Sequence, residues 1–148
     1  DRTVFGAFVD PHENGSNPWH YDGEKLRISD HVIYEASVPP LRNLGAPLAL
    51  LTSGKTLSSG EAVLISFLGR PKTRTFGEPT GGLPTANAPY QLKDKSWLML
   101  TVALEADRLG RIYKTSIAPD VFVKINWEKL GQDDPVLLEA SEWLQKLL

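Results

Sequence analysis

Ser58 is the residue whose type and setting most directly suggest chemistry in this chain. It follows the short apolar run Pro47-Leu48-Ala49-Leu50-Leu51-Thr52 and the turn Ser53-Gly54-Lys55-Thr56. It opens a stretch in which Ala62, Val63, Ile65 and Phe67 or Leu68 recur at helical spacing, ending at Gly69 and Pro71. A serine at the start of a helix meets unpaired N–H groups and a partial positive charge. The Ser59 N–H is then the nearby donor for the oxyanion that would form when the hydroxyl attacks a carbonyl. The spacing Ser58-x-x-Glu61 also fits a capping box, in which hydroxyl and carboxylate do no more than satisfy helix-end donors. Spacing alone leaves both readings open.

A serine hydroxyl needs a base within hydrogen-bond reach, commonly a lysine or a histidine. Lys72, Lys93 and Lys95 are close in sequence to the loop that follows, but lysines are mostly solvated surface charges. Of the three histidines, His12 lies in a turn-rich loop, His20 in an expected strand and His31 after Ser29-Asp30, and nothing in the sequence pairs any of them with Ser58. The loop Gly77-Glu78-Pro79-Thr80-Gly81-Gly82 has two readings. Glu78, Thr80, Gly81 and Gly82 line a substrate cleft, or the loop is a Gly-Pro turn whose side chains hold their own backbone. It does not cradle a phosphate, since no Gly-Lys-Ser/Thr follows, and the histidines and acids show no recurring metal-ligand spacing. No metal and no cofactor is expected.

Composition narrows the classes further. A chain of 148 residues with 41% hydrophobic and 23% charged residues suits one packed domain or one piece of a domain. A formal charge of -2 with scattered lysines and arginines argues against a nucleic-acid partner. With no cysteine, disulfides, thiol catalysis and thiolate zinc sites are excluded. No apolar run approaches the roughly 18 residues of a membrane span, and no basic-then-apolar leader precedes Asp1.

The elements that must position Ser58 read as follows. Thr3 to Val9 is an opening strand, and Asp10 to Pro18 is dense in turn formers. Trp19 to Tyr21 and Lys25 to Ile28 form a hairpin about Asp22-Gly23. Pro39-Pro40 ends whatever precedes it. The run Pro47 to Thr52 is a buried parallel strand, completing a strand-turn-helix unit with the segment after Ser58. Thr73 to Phe76 and Tyr90 to Leu92 are strands separated by a loop from Gly77 to Pro89, and Trp97 to Leu104 is a longer strand ending at a turn from Asp107 to Gly110. Asp134-Pro135 caps and starts a helix whose Leu138, Trp143, Leu144, Leu147 and Leu148 face the core, and Trp97 and Trp127 are expected in the core as well.

Several segments together carry a family resemblance. Thr56-Leu57-Ser58-Ser59-Gly60-Glu61-Ala62 resembles the Thr-Ala-Ser-[Ala/Ser]-x-Glu segment of tail-specific (C-terminal processing) serine peptidases, whose first serine is the nucleophile. Gly77 to Gly82 resembles their Gly-Glu-x-Thr-x-Gly loop, and Leu92-Lys93-Asp94-Lys95-Ser96 their Leu-x-Asp-Gly-Ser turn. Gly110-Arg111-Ile112-Tyr113 followed by Ile117-Ala118-Pro119-Asp120 resembles their Gly-Arg-x-x and Ile-x-Pro-Asp ending. Gly6 to Ser29 is similar to a segment that some bacterial members carry before this core.

The resemblance implies an α/β fold of the crotonase/ClpP-like kind, a mixed sheet with flanking helices, of which this chain is a fragment. On that reading 1–46 are lead-in strands and loops, 47–130 the core with the nucleophile and 131–148 a C-terminal helix. It implies a serine-type endopeptidase acting on a peptide or protein, with Ser58 as nucleophile and the Ser59 N–H as oxyanion donor. A cell-envelope or secreted setting follows from family habit. The element that normally supplies a second oxyanion donor, Asp-Leu-Arg-Gly-Asn-x-Gly-Gly, would lie upstream of Asp1.

Two departures qualify the match. The lysine-using branch of the family places its base directly after the glycine-rich loop, where this chain has Leu83. The histidine-using branch takes a glutamate from just before the Ile-x-Pro-Asp ending, where this chain has Tyr113-Lys114-Thr115-Ser116. The alternative is therefore a non-catalytic peptide- or ligand-binding module on the same fold, or an inactive fragment.

Overall fold

A computed structural model describes residues 3–12, 15–35, 45–128, 130–131 and 133–147. The expectations for Glu13-Asn14, Pro39-Pro40 and Leu148 lie outside the described residues. The strands are β1 (Thr3–Val9), β2 (Ser16–Tyr21), β3 (Lys25–Ile28), β4 (His31–Glu35), β5 (Leu48–Thr52), β6 (Thr73–Gly77), β7 (Thr85–Gln91), β8 (Trp97–Asp107), β9 (Ile112–Tyr113) and β10 (Val121–Phe122). The helices are α1 (Ser59–Phe67) and α2 (Pro135–Gln145). This is a sheet-dominated α/β arrangement with both kinds of strand pairing, but the two kinds are segregated.

Antiparallel strands run in the order β4-β3-β2-β1-β8-β7, with β9 also on β8. The expected hairpin sits between β2 and β3, in the register Trp19 to Ile28 and Tyr21 to Leu26. Its turn is held by Asp22, whose Oδ1 accepts from Lys25 N–H at 2.8 Å and Glu24 N–H at 3.2 Å. Those bonds favour the charged carboxylate, so they hold Asp22 below its usual pKa. The second sheet is parallel, in the order β10-β6-β5. Parallel pairing of Leu48–Thr52 matches the reading of the apolar run, although its residues are mostly half-buried and Leu51 is exposed.

Two clusters of apolar side chains hold these layers together. Along β5 neighbouring side chains alternate between them, as the period of two requires. Leu50 joins Trp19, Leu64, Ile65 and Ile117, while Ala49 joins Phe76, Val136 and Ala140. Thus α1 packs between the antiparallel sheet and β5, and α2 covers the opposite face of the parallel sheet. Ile65 is fully buried, a contribution of roughly 1.5–3 kcal/mol.

Helix α2 begins as expected, with Asp134 Oδ1 accepting from Val136 N–H at 2.9 Å and Pro135 at the first helical position. Its buried residues are Val136 and Ala140, with Trp143 partly buried against Phe76, whereas Leu138 and Leu147 are exposed. The phase of α1 also differs from the sequence reading: Leu64 and Ile65 are buried while Val63 and Phe67 are exposed. A run that is apolar on nearly every position fixes a helix but not its orientation.

The segment read as a loop from Gly77 to Pro89 is shorter than expected, because β7 starts at Thr85. Proline is tolerated there since β7 is the edge strand of its sheet among the described residues. Trp97 and Trp127 are exposed at 61% and 47%, against the expectation that they are core. Among the described residues no helix is long and apolar enough to cross a membrane.

Candidate active site

Strand β5 delivers the chain to the turn before α1, and β6 delivers it to the glycine-rich loop alongside. The two exits are laced together: Thr52 Oγ1 donates to Glu78 O at 2.9 Å and Glu78 N–H donates to Thr52 O at 3.0 Å. Gly77 makes this possible. Its φ is +119°, and a Cβ there would stand 2.2 Å from the Thr52 carbonyl oxygen, so only glycine fits between β5 and the loop. The turn ahead of α1 closes through Thr56 N–H to Ser53 O at 2.8 Å.

Ser58 follows at φ +50°, ψ -115°, a conformation that costs a non-glycine residue of order 1–3 kcal/mol. Its side chain is exposed. Strain of this kind on a strand-turn-helix junction is how a nucleophile elbow thrusts its hydroxyl away from the backbone. The Ser58 carbonyl accepts from Glu61 N–H at 2.7 Å and Ala62 N–H at 3.0 Å, which starts the helix. Ser58 and Glu61 stand as the capping box that their spacing allows, with the Glu61 carboxylate taking the Ser58 N–H at 3.0 Å while the hydroxyl closes no side-chain cap hydrogen bond. Ser59 is the first residue of α1, so its N–H has no intrahelical acceptor and points out with the positive end of the helix.

Glu61 is the hub that sequence reading treated only as half of a capping box. It is fully buried. Oε2 accepts from Ser58 N–H at 3.0 Å and Leu83 N–H at 2.7 Å, and Oε1 accepts from Gly82 N–H at 2.9 Å and from the Thr80 hydroxyl. Four donors around one carboxylate fix the start of α1 to the loop from Gly77 to Leu83. Because one oxygen bridges the backbone nitrogens of Ser58 and Leu83, position 83 lies beside the Ser58 turn, and it holds an exposed leucine.

The loop residues take distinct places. Thr80 is buried, and its Oγ1 also accepts from Ile117 N–H at 2.8 Å, joining the loop to the segment before β10. The Glu78 carboxylate accepts from Ile125 N–H at 3.0 Å. Gly81 donates its N–H to Thr56 O at 2.9 Å, and a Cβ there would stand 1.8 Å from Leu57 Cδ2, so it forms a wall against the residue preceding Ser58. Gly82, like Gly81, therefore contributes backbone to this junction. The Asp120 carboxylate binds Thr75 N–H and the Thr75 hydroxyl, both at 2.8 Å, clamping β6 from the other side.

No histidine or lysine hydrogen-bonds the Ser58 hydroxyl among the described residues. His12 and His31 are exposed, and His20 is half-buried on β2. Beneath the junction lies a group that sequence reading missed. Glu105 on β8 is 3% exposed, its Oε2 has no hydrogen-bond partner, and its N–H donates to Pro84 O at 3.2 Å. Burial, and then the neighbouring Glu61 carboxylate, push its pKa up to about 7. No group of three potential metal ligands occurs among the described residues. A cavity of about 540 Å³, bordered by Leu68, Arg70, Asp107 and Tyr113, lies at the C-terminal end of α1, roughly 13 Å of helix from Ser58. The chemistry-bearing groups are at the other end.

A family model described as Peptidase family S41 matches residues 13–123. The chain is 39% identical over 101 residues, 68% of its length, to a nisin-resistance protein of Lactococcus lactis subsp. lactis, of which the match covers 29%. It superposes on a lipoprotein from Streptococcus agalactiae with a TM-score of 0.72 at 27% identity, covering 99% of this chain and 46% of that one. It superposes on the photosystem II D1 C-terminal processing protease with a TM-score of 0.54 at 19% identity, covering 84% of this chain and 28% of that one, a likeness of fold. The chain thus spans less than half the length of these relatives.

Proposed function

The chain belongs to peptidase family S41, and on that premise we propose that Ser58 is the nucleophile of a serine-type endopeptidase acting on peptide or protein substrates. The observation that carries the proposal is the backbone of Ser58, strained at φ +50° and exposed where a parallel strand turns into α1. A serine serving only as a helix cap needs no such conformation.

The steps assigned to this chain's own atoms are two. The Ser58 hydroxyl attacks the scissile carbonyl, giving up its proton to a base, and the Ser59 N–H stabilises the oxyanion of the tetrahedral intermediate. The glycine-rich loop, with Glu78, Thr80, Gly81 and Gly82, walls the cleft and holds the junction rigid through Glu61. No base is assigned in this chain: position 83 holds leucine, and no histidine or lysine bonds the hydroxyl among the described residues. We therefore take this chain to be the C-terminal portion of a longer catalytic domain of crotonase/ClpP-like architecture, with 47–130 as its core. The setting we propose is the bacterial cell envelope, supported by relatives described as a lipoprotein and as a nisin-resistance protein.

A second reading, a peptide-binding module without catalysis, is favoured by Leu83 and by the lack of a carboxylate in Tyr113-Lys114-Thr115-Ser116. Hydrolysis distinguishes the two. A chain extended upstream to the length of its relatives is incubated with casein, and the products are read by mass spectrometry beside the Ser58→Ala variant. Cleavage that disappears in the variant supports the peptidase; a well-folded extended chain that leaves casein intact supports the binding module.

A further inference from the structure

We infer that Lys55 and Trp127 form a substrate subsite beside Ser58 that receives a carboxylate-bearing residue of the peptide. The inference rests on the peptidase reading above. Lys55 lies in the turn three residues before Ser58, and its Nζ stands 3.9 Å from the centroid of the Trp127 ring. Both side chains are exposed.

The contact is built rather than incidental. After β10 the chain is strapped to the glycine-rich loop by Val123 N–H to Gly77 O at 2.9 Å and by Ile125 N–H to Glu78 Oε1 at 3.0 Å. The loop that braces Ser58 on one side therefore also fixes the segment carrying Trp127. That segment, Lys124 to Glu128, borders an open depression of about 420 Å³.

The charge is positioned but not neutralised. A ring face attracts an ammonium group without accepting its N–H donors as an oxygen would. No carboxylate among the described residues forms an ion pair with Lys55. Lys124 adds a second positive charge at the depression and Glu128 opposes it. Leu57 and Leu83, 43% and 54% exposed, give the junction an apolar surface next to the nucleophile. A peptide crossing Ser58 can set an apolar side chain on these leucines and a carboxylate against Lys55. A free chain end and an acidic side chain share that chemistry.

Binding without cleavage tests this on the chain extended upstream to the length of its relatives and carrying Ser58→Ala. The probes are acetyl-Ala-Ala-Leu-Leu with a free C-terminus, its C-terminal amide, and acetyl-Ala-Glu-Leu-Leu amide, with Kd measured by isothermal titration calorimetry. The free acid is expected to bind about two- to fivefold more tightly than the plain amide, the range of an exposed ion pair. Lys55→Met removes that preference and Lys55→Arg keeps it, with melting temperatures confirming that both variants are folded. If the glutamate-bearing amide regains the preference, the subsite reads an acidic side chain; if it does not, the subsite reads a chain end. Equal affinities, no binding, or a preference that survives Lys55→Met overturns the subsite. Because no cleavage is measured, a preference in a protein whose Ser58 proves unreactive leaves the subsite standing while the peptidase reading falls.

Discussion

The Ser58 N–H donates to Oε2 of Glu61 at 3.0 Å, so the strained residue at the helix start is held by a buried carboxylate three positions further on. Glu61 also takes the Thr80 hydroxyl and the N–H groups of Gly82 and Leu83. The geometry of the proposed nucleophile therefore depends on a side chain that never touches solvent.

Removing that carboxylate leaves four buried or half-buried donors without an acceptor. Glu61→Ala is expected to destabilise the chain by about 3–5 kcal/mol, the scale for breaking a buried charged network by deleting one partner. Glu61→Gln should cost less, yet its amide NH2 must face N–H donors. Urea denaturation of the three proteins measures both differences; a loss under about 1 kcal/mol in the alanine variant would contradict the hub role.

Glu105 gives a dependence on pH. Its folded pKa, about 7, lies above the ordinary value of 4.5, so the unfolded chain releases the proton first as pH rises. Its contribution to stability is therefore lost between about 4.5 and about 7 and does not return above that window. Glu105→Gln is expected to be more stable than the parent at pH 8, by about 1–3 kcal/mol, and nearly equal to it at pH 4. Thermal melts across this range check the sign; a variant less stable than the parent at pH 8 would rule the account out.

Ser58→Gly separates strain from chemistry. Relief of roughly 1–3 kcal/mol of backbone strain outweighs the roughly 0.5–1 kcal/mol entropic penalty of glycine, so the variant should be more stable by about 1 kcal/mol while losing the proposed nucleophile. Ser58→Ala loses the same hydroxyl without that gain. Melting curves that rank alanine above glycine would argue against strain at this residue.

Lys95 sits at φ +71° in the turn between β7 and β8, where Leu92 N–H donates to Ser96 O at 2.9 Å. The resembling family turn has glycine at this place, and the conformation explains it. Lys95→Gly should stabilise the chain by about 1 kcal/mol, measured by chemical denaturation, since the side chain is exposed and only the left-handed backbone changes.

Much of this was legible in the residues. The opening strand, the hairpin about Asp22-Gly23 and the strand-turn-helix unit around Ser58 rest on local signals, namely alternation, turn formers and a capping pattern. What depends on distant partners was not. Glu61 reads as a capping residue because three of its four donors, Thr80, Gly82 and Leu83, come from the loop after β6. Glu105 sits in a strand with nothing local to mark its carboxylate as buried. Size alone places Trp97 and Trp127 in the core, but the outer half of the β7–β8 hairpin is exposed among the described residues and Trp127 is held beside Lys55. β4 carries no such local signal, because the turn into it, Ser29-Asp30, has a serine at φ +53° where glycine would mark a turn.

Ser58 is proposed here to be an activated nucleophile. Its most direct test is covalent labelling by a fluorophosphonate, with intact mass and peptide mapping, on the chain extended upstream and on its Ser58→Ala variant. The account expects a single adduct that maps to Ser58, is absent from the variant and is weak or absent in the 148-residue chain. A well-folded extended protein that takes up no label, or takes it up equally after Ser58→Ala, would contradict it.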